Sequence, residues 1–141
     1  MKNQFLFIRK ANYYETDQMG IIHHSNYIRW FEEARVDFLD QIGFSYKKAT
    51  EHGIDFAVLS VECQYKSMVK YGDTVAIETK IAEVSKTRIK LEYIIRDHMT
   101  QELRAIGSSS HCWYDNAKQK PVSLEKAIPE LYHLFLSHHN E

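Results

Sequence analysis

Between residues 25 and 43 the apolar positions recur at intervals of three and four: Tyr27, Phe31, Ala34, Phe38 and Ile42, with Ile28, Trp30 and Leu39 widening the stripe. That period lays them on one face of an α-helix, and so wide a stripe predicts a helix buried along most of its length. At 1.5 Å per residue it runs about 27 Å. Ser25 or Asn26 is suited to cap the start, because a short polar side chain accepts from the unpaired first amides, and Gly43 to end it in a left-handed turn. Elsewhere the period is two. Residues 4–13 read as a first strand, and the polar run from Tyr14 to Gly20 as a loop. After a short segment at 46–52, about sixty residues alternate between apolar and polar. The clearest stretch is 88–96, where Ile89, Leu91, Tyr93 and Ile95 oppose Arg88, Lys90, Glu92 and Arg96. Val75, Ile77 and Ile81 alternate before it, and Phe56, Val58, Val61, Cys63 and Tyr65 earlier still, with a phase slip at Leu59-Ser60 that predicts a bulge. The last strand, 103–114, carries Gly107 in its middle, where glycine weakens a strand unless a neighbour must come close. Hairpin turns are expected at Tyr71-Gly72-Asp73 and Ser85-Lys86-Thr87, another turn at 116–121, and a terminal helix at 123–138 interrupted at Pro129.

The order is strand, loop, long helix, then four strands reading as an antiparallel meander, which predicts an α+β domain with the helix covering one face of a curled sheet. One helix does not seal both the sheet face and its edges, so a homo-oligomer is expected. The 141 residues, 44% hydrophobic and 26% charged, suit a single domain over 1–141. Lys plus Arg total 18 against 19 for Asp plus Glu, a balance that supplies no footprint for nucleic acid. Cys63 and Cys112 stand in no CxxC spacing, against a disulfide framework or structural zinc and in favour of a reducing, cytoplasmic setting. The apolar run near the start is only four residues long, too short for a signal peptide or a membrane span.

The chemistry concentrates before the helix. Thr16-Asp17, Gly20, His24 and Asn26-Tyr27, followed by Trp30-Phe31-Glu32-Glu33-Ala34-Arg35, resemble the signature of the 4-hydroxybenzoyl-CoA thioesterase and YbgC-type acyl-CoA thioesterase group of hotdog proteins. The spacing is specific: an acid, a glycine three on, a histidine four beyond and Asn-Tyr two further. The resemblance implies the hotdog fold and hydrolysis of an acyl-CoA to free acid and coenzyme A. It implies that Asp17 is nucleophile or base for water, and that the amide at His24 polarises the thioester carbonyl. It further implies substrate contacts at Gly20, Asn26 and Tyr27, no metal or organic cofactor, and a homodimer or homotetramer with the pocket at the subunit interface. Lys86 and Arg88, with Lys66 and Lys70, are candidates for the phosphates of coenzyme A. Elementary chemistry agrees. A helix N-terminus presents unpaired N–H groups and a positive dipole end to an oxyanion, Asp17 lies eight residues ahead of Ser25, and a thiol with a pKa of about 8.5 leaves without strong acid help.

Plainer readings stand beside these. An aspartate before a helix is commonly a turn residue; the His24 side chain can hold substrate or water, or merely orient the loop; Asn26 can be a cap. His23 reads as exposed and structural, Tyr27, Trp30 and Phe31 as core or pocket wall, and Glu32, Glu33 and Arg35 as a solvated or interface face. Phe56, Tyr65 and Trp113 are candidates for setting pocket depth. The run Ser108-Ser109-Ser110 lacks the G-x-S-x-G turn of a serine nucleophile and is expected to be small for packing against the helix. The remaining histidines show no metal-ligand spacing. Two other functions share the fold: an acyl-CoA or acyl-carrier binding module without catalysis, and a hydratase, whose histidine-and-acid motif the Asp-first spacing does not resemble.

Overall fold

In the computed structural model, which describes residues 5–139, the segment of helical period is helix α1 (Ser25–Ile42), 18 residues long and ended by Gly43 at φ 91°. The amino-terminal strand β1 (Phe5–Lys10) is shorter than its pattern suggested, and residue 4 lies outside the described residues. Pairing stops because the chain curls after Asn12 into a 3₁₀ turn (Tyr13–Glu15), in which the Glu15 carboxylate accepts from the Asn12 amide at 2.9 Å. A short helix α2 (Tyr46–Glu51) follows α1, then the strands β2 (Ile54–Tyr65), β3 (Thr74–Val84), β4 (Arg88–Asp97) and β5 (Leu103–Asp115). Lys120 and Pro121, expected within a turn, form a two-residue strand β6 on β5. The terminal helix is broken at Pro129 as expected, into α3 (Leu124–Ala127) and α4 (Pro129–His139).

The sheet order is β1-β3-β4-β5-β2, antiparallel throughout, and this corrects the four-strand meander. Of the four long strands after α1, only β3, β4 and β5 follow one another as hairpins. Strand β2 pairs with β5, and the chain then crosses through residues 66–73 to β3, so Tyr71-Gly72-Asp73 is a turn leading into β3 rather than the closure of a hairpin. Alternation states which face a side chain takes, but it says nothing about which strand lies alongside. The bulge falls where the phase slip put it, between Val58 and Ser60. At Gly107 a Cβ would come 2.5 Å from the Phe31 ring and 2.6 Å from the Glu62 carbonyl oxygen, so only glycine lets α1 settle this closely on the sheet. The Phe31 ring lies parallel to Tyr93 below it, with centroids 4.4 Å apart.

Trp30, Phe31, Phe38, Leu39, Ile77, Leu91, Tyr93 and Trp113 fill the core between helices and sheet. Trp113 stacks on Phe135 of α4 with Phe56 at their edges, which makes Trp113 and Phe56 core residues and not pocket walls. The edge of β2 is different. Val58, Leu59, Val61 and Tyr65 are 53%, 47%, 37% and 47% exposed, apolar residues along the strand that ends the sheet order.

Candidate active site

The loop between β1 and α1 is a small folded unit. The Asp17 amide donates to the Ile21 carbonyl at 2.9 Å and the Gly20 amide to the Asp17 carbonyl at 3.1 Å, closing a tight turn in which Gly20 takes φ 79°. Gly20 therefore serves the turn, since an L side chain is strained at that angle. The Asp17 carboxylate accepts from the Met19 amide through Oδ1 at 2.8 Å, and Oδ2 makes no hydrogen bond among the described residues. Beyond the turn, the Ile22 amide reaches the Val69 carbonyl at 2.8 Å, and Ile21 bridges to Lys70, so the loop is pinned against the segment that crosses from β2 to β3.

Between these two segments and the start of α1 lies an open cleft of about 310 Å³. Asp17 and His24 both line it, with Ile21, Ile22 and Tyr27 on one side and Tyr65, Lys66, Ser67 and Met68 on the other. The sequence prediction is corrected at the cap: His24 is the N-cap residue, and Ser25 and Asn26 already lie in the first turn. The Ser25 amide donates to Nδ1 of His23 at 3.2 Å, while the amides of Asn26 and Tyr27 donate to the carbonyls of His23 and His24. Among the described residues the His24 N–H has no acceptor, at the positive end of an 18-residue helix.

The His24 imidazole is exposed, stacked on the exposed His23 ring at 4.2 Å, with the Tyr65 ring at its edge. Tyr65 donates its hydroxyl to the His24 carbonyl at 3.1 Å. Burial, with the Cys63 thiol beside it, pushes the Tyr65 phenol up to about 12, so it stays a donor at neutral pH. Burial likewise pushes the Cys63 thiol up, which keeps it from acting as a thiolate. Tyr27 is buried, set edge-on to Tyr65 with centroids 4.9 Å apart, and forms the cleft's inner wall. Asn26 faces the other way: its amide donates to the carbonyls of Glu15 at 2.9 Å and His23 at 3.3 Å, tying loop to helix.

Lys86 and Arg88 are not in this cleft. Lys86 pairs with Glu125 at 3.7 Å, and Arg88 lines a separate hollow with Glu83, Ser85 and Ser110. Arg88 registers with Cys112, whereas Tyr65 registers with Ala105, seven residues back along β5, or about 23 Å at the rise of a strand. The cation that does line the cleft is Lys66, and its other wall comes from Ser67-Met68 of the crossing segment, residues to which the sequence reading had given no role. Sequence reasoning also passed over Glu15. The signals were Arg9 on the inward register of β1 and the indole N–H of Trp30, each of which needs an acceptor once buried.

Comparison with known proteins matches residues 12–131 to the thioesterase-like superfamily. The YneP protein of Bacillus subtilis is 32% identical over 121 residues, covering 86% of this chain and 87% of that one. The acyl-CoA thioesterase YbgC of Haemophilus influenzae is 26% identical over 134 residues, covering 94% and 97%. Among solved structures, a DHNA-CoA thioesterase from Staphylococcus aureus superposes with a TM-score of 0.91 at 30% identity, covering 95% of this chain and 89% of that one.

Proposed function

The chain belongs to the thioesterase-like superfamily and is an acyl-CoA thioesterase, and from that premise we propose that Asp17 and the amide of His24 carry the reaction. The observation that carries the assignment is their meeting in one cleft, lined by an acid with one oxygen free and by a helix start whose leading N–H is unclaimed among the described residues. In this reading the thioester carbonyl oxygen accepts from the His24 N–H, and the helix dipole favours the charge that oxygen gains. With Asp17 as base, water attacks the carbonyl carbon as its proton passes to the carboxylate. The tetrahedral centre then collapses, the C–S bond breaks, and coenzyme A leaves as a thiol while the acyl group leaves as the acid. With Asp17 as nucleophile, a carboxylate oxygen forms the new bond, coenzyme A departs, and water hydrolyses the mixed anhydride. A single turnover in ¹⁸O-water reveals the nucleophile route when water attacks the Asp17 carbonyl of the anhydride, since the label then enters Asp17 and the product acid carries an unlabelled Asp17 oxygen. The imidazole of His24, exposed at the rim, is assigned to holding water or substrate rather than to the oxyanion.

The basic groups at Lys86 and Arg88 enter through assembly. Two β2 edges paired antiparallel place the Ala57 end of one beside the Tyr65 end of the other. The row Arg88–Cys112–Ala57 then continues toward the partner's cleft, so phosphates of coenzyme A meet the partner's Arg88 while the thioester sits at Asp17. The exposed apolar row of β2 supports this pairing, because an unpaired flat edge is a template for another strand. A homodimer, or a homotetramer built from it, working in the cytoplasm is the assembly assigned, and no described helix is long and apolar enough to cross a membrane. The test is release of free thiol from acetyl, medium-chain, long-chain and aromatic acyl-CoAs. Turnover lost in Asp17→Asn supports the assignment; tight binding without release in the unaltered protein turns the reading to a binding module. Sedimentation at micromolar concentration tests the pairing, and a compact active monomer near 16.7 kDa overturns it.

A further inference from the structure

Two residues before Asp17, Glu15 is a carboxylate only 3% exposed, and every one of its polar atoms is engaged. Oε1 accepts from the Arg9 guanidinium at 2.7 Å and from the Asn12 amide at 2.9 Å, and Oε2 from the indole N–H of Trp30 at 2.9 Å. Its carbonyl accepts from the His23 amide at 2.8 Å and the Asn26 side chain at 2.9 Å, while its own amide donates to the Asn12 carbonyl at 3.0 Å. Arg9 is gripped from the far side by Glu33 of α1 and lies over the Trp30 ring, 5.0 Å from its centroid. One residue thus touches β1, the second turn of α1, and both ends of the loop that carries Asp17.

Burying a charge is costly, and apolar side chains of similar volume commonly give as stable a core. What an apolar core lacks is direction. Hydrogen bonds fix angles as well as distances, and those at Glu15 fix where the loop leaves β1 and where it rejoins the helix start. Burial raises the Glu15 carboxyl, and the bonds from Arg9, the Asn12 amide and Trp30, with the charge of Arg9, more than reverse this, so it stays ionised at neutral pH.

We propose that Glu15 is the positioning residue of the reaction: the clamp of Arg9, Glu15 and Trp30 sets the placement of the Asp17 carboxylate relative to the His24 amide. This inference rests on the roles assigned to Asp17 and His24. Misplacing a reacting group by about 1 Å costs on the order of 100-fold in rate, so a residue that holds that placement acts on kcat rather than on affinity.

Glu15→Gln tests it. The amide keeps the volume but turns an NH₂ toward either Arg9 and Asn12 or Trp30, breaking the clamp on one side. At a temperature where circular dichroism shows the variant fully folded, kcat should fall on the order of 10- to 100-fold, with KM within about twofold. In the Asp17→Asn background the same change should add little, because two residues acting through one group are not additive. A loss that multiplies with Asp17→Asn, an unchanged kcat, or a rise confined to KM overturns the proposal. Trp30→Phe, which removes one donor and leaves Arg9 and Asn12 on the carboxylate, carries the same kcat-against-KM test if Glu15→Gln does not fold, with a smaller loss expected. The two levels of the argument fail separately. Full activity in Asp17→Asn removes the functional reading, whereas inactive Asp17→Asn beside fully active Glu15→Gln and Trp30→Phe removes only the clamp.

Discussion

Two polar clusters in this protein can be set side by side: the cleft at the start of α1, and a string of side chains sealed beneath the middle of that helix. In the second, the Ser109 hydroxyl lies 2.7 Å from Nε2 of His111 and 2.6 Å from the Tyr93 hydroxyl, which in turn accepts from Arg35 at 3.5 Å. By distance alone, Ser109 and His111 are a nucleophile and its base. Yet Ser109, His111 and Tyr93 are 1%, 0% and 0% exposed. The cleft at Asp17 is open, and among the described residues it leaves a carboxylate oxygen and the His24 amide without a hydrogen-bond partner. The lesson is that reactivity follows access: the buried pair is architecture although Nδ1 of His111 has no hydrogen-bond partner, because nothing from solvent reaches it.

The largest effect expected at the cleft is on turnover. Asp17→Asn should lower the rate of thiol release on the order of 100-fold or more, since positioned acid–base help alone contributes about that. Its thermal midpoint should stay close to that of the parent, and a near-normal rate would remove the contrast altogether.

Acid should expose the other cluster. Burial, reinforced by the charge of Arg35, pushes His111 down to about 4 from its ordinary 6.5, so the native imidazole is neutral while the unfolded one takes a proton. The unfolded state binds more protons in that window, and stability is therefore full above pH 6.5 and falls as pH drops toward 4. Between pH 7 and 5 the loss should be about 2 kcal/mol at 1.36 kcal/mol per pH unit, read from urea denaturation. His111→Gln, which does not titrate, should show a flatter profile; a parallel one would mean that His111 is not held neutral.

Ser109→Ala sharpens the comparison from the inside. It leaves Tyr93 and His111 without their shared partner and should cost about 1–2 kcal/mol of stability, while thiol release stays within about twofold once the variant is folded. A collapse of activity at unchanged stability would make the buried string part of the chemistry.

The smallest effect belongs to His24→Ala. The variant keeps the backbone N–H, so its loss should be clearly below that of Asp17→Asn, under about tenfold. Equal losses in the two variants would transfer the leading role to the imidazole.

Reading the sequence went furthest where the information is local. The helix at 25–42, its end at Gly43, the bulge at Val58 and the break at Pro129 follow from periods and backbone preferences that each segment carries in itself. Gly107 announced a close approach, although not that Phe31 makes it. That Asp17 and His24 would share one cleft was legible because they lie on one short loop whose spacing resembles a known signature.

What the alternation could not state was pairing. Whether β2 lies beside β3 or β5 is settled by the cost of closing the chain over the core and by β1 taking the open edge of β3, both properties of the assembled sheet. For the same reason Lys66 enters the cleft while Arg88 stands about 23 Å along the sheet, Trp113 and Phe56 belong to the core beneath α4, and Ser109 meets His111 without opening to water. Glu15 reads in the sequence as one acid in a polar loop; it becomes a clamp only when a strand brings Arg9 and a helix brings Trp30 to its two oxygens. Local spacing sets what a residue can do, but its partners come from distant parts of the chain, and only packing decides which of them arrive.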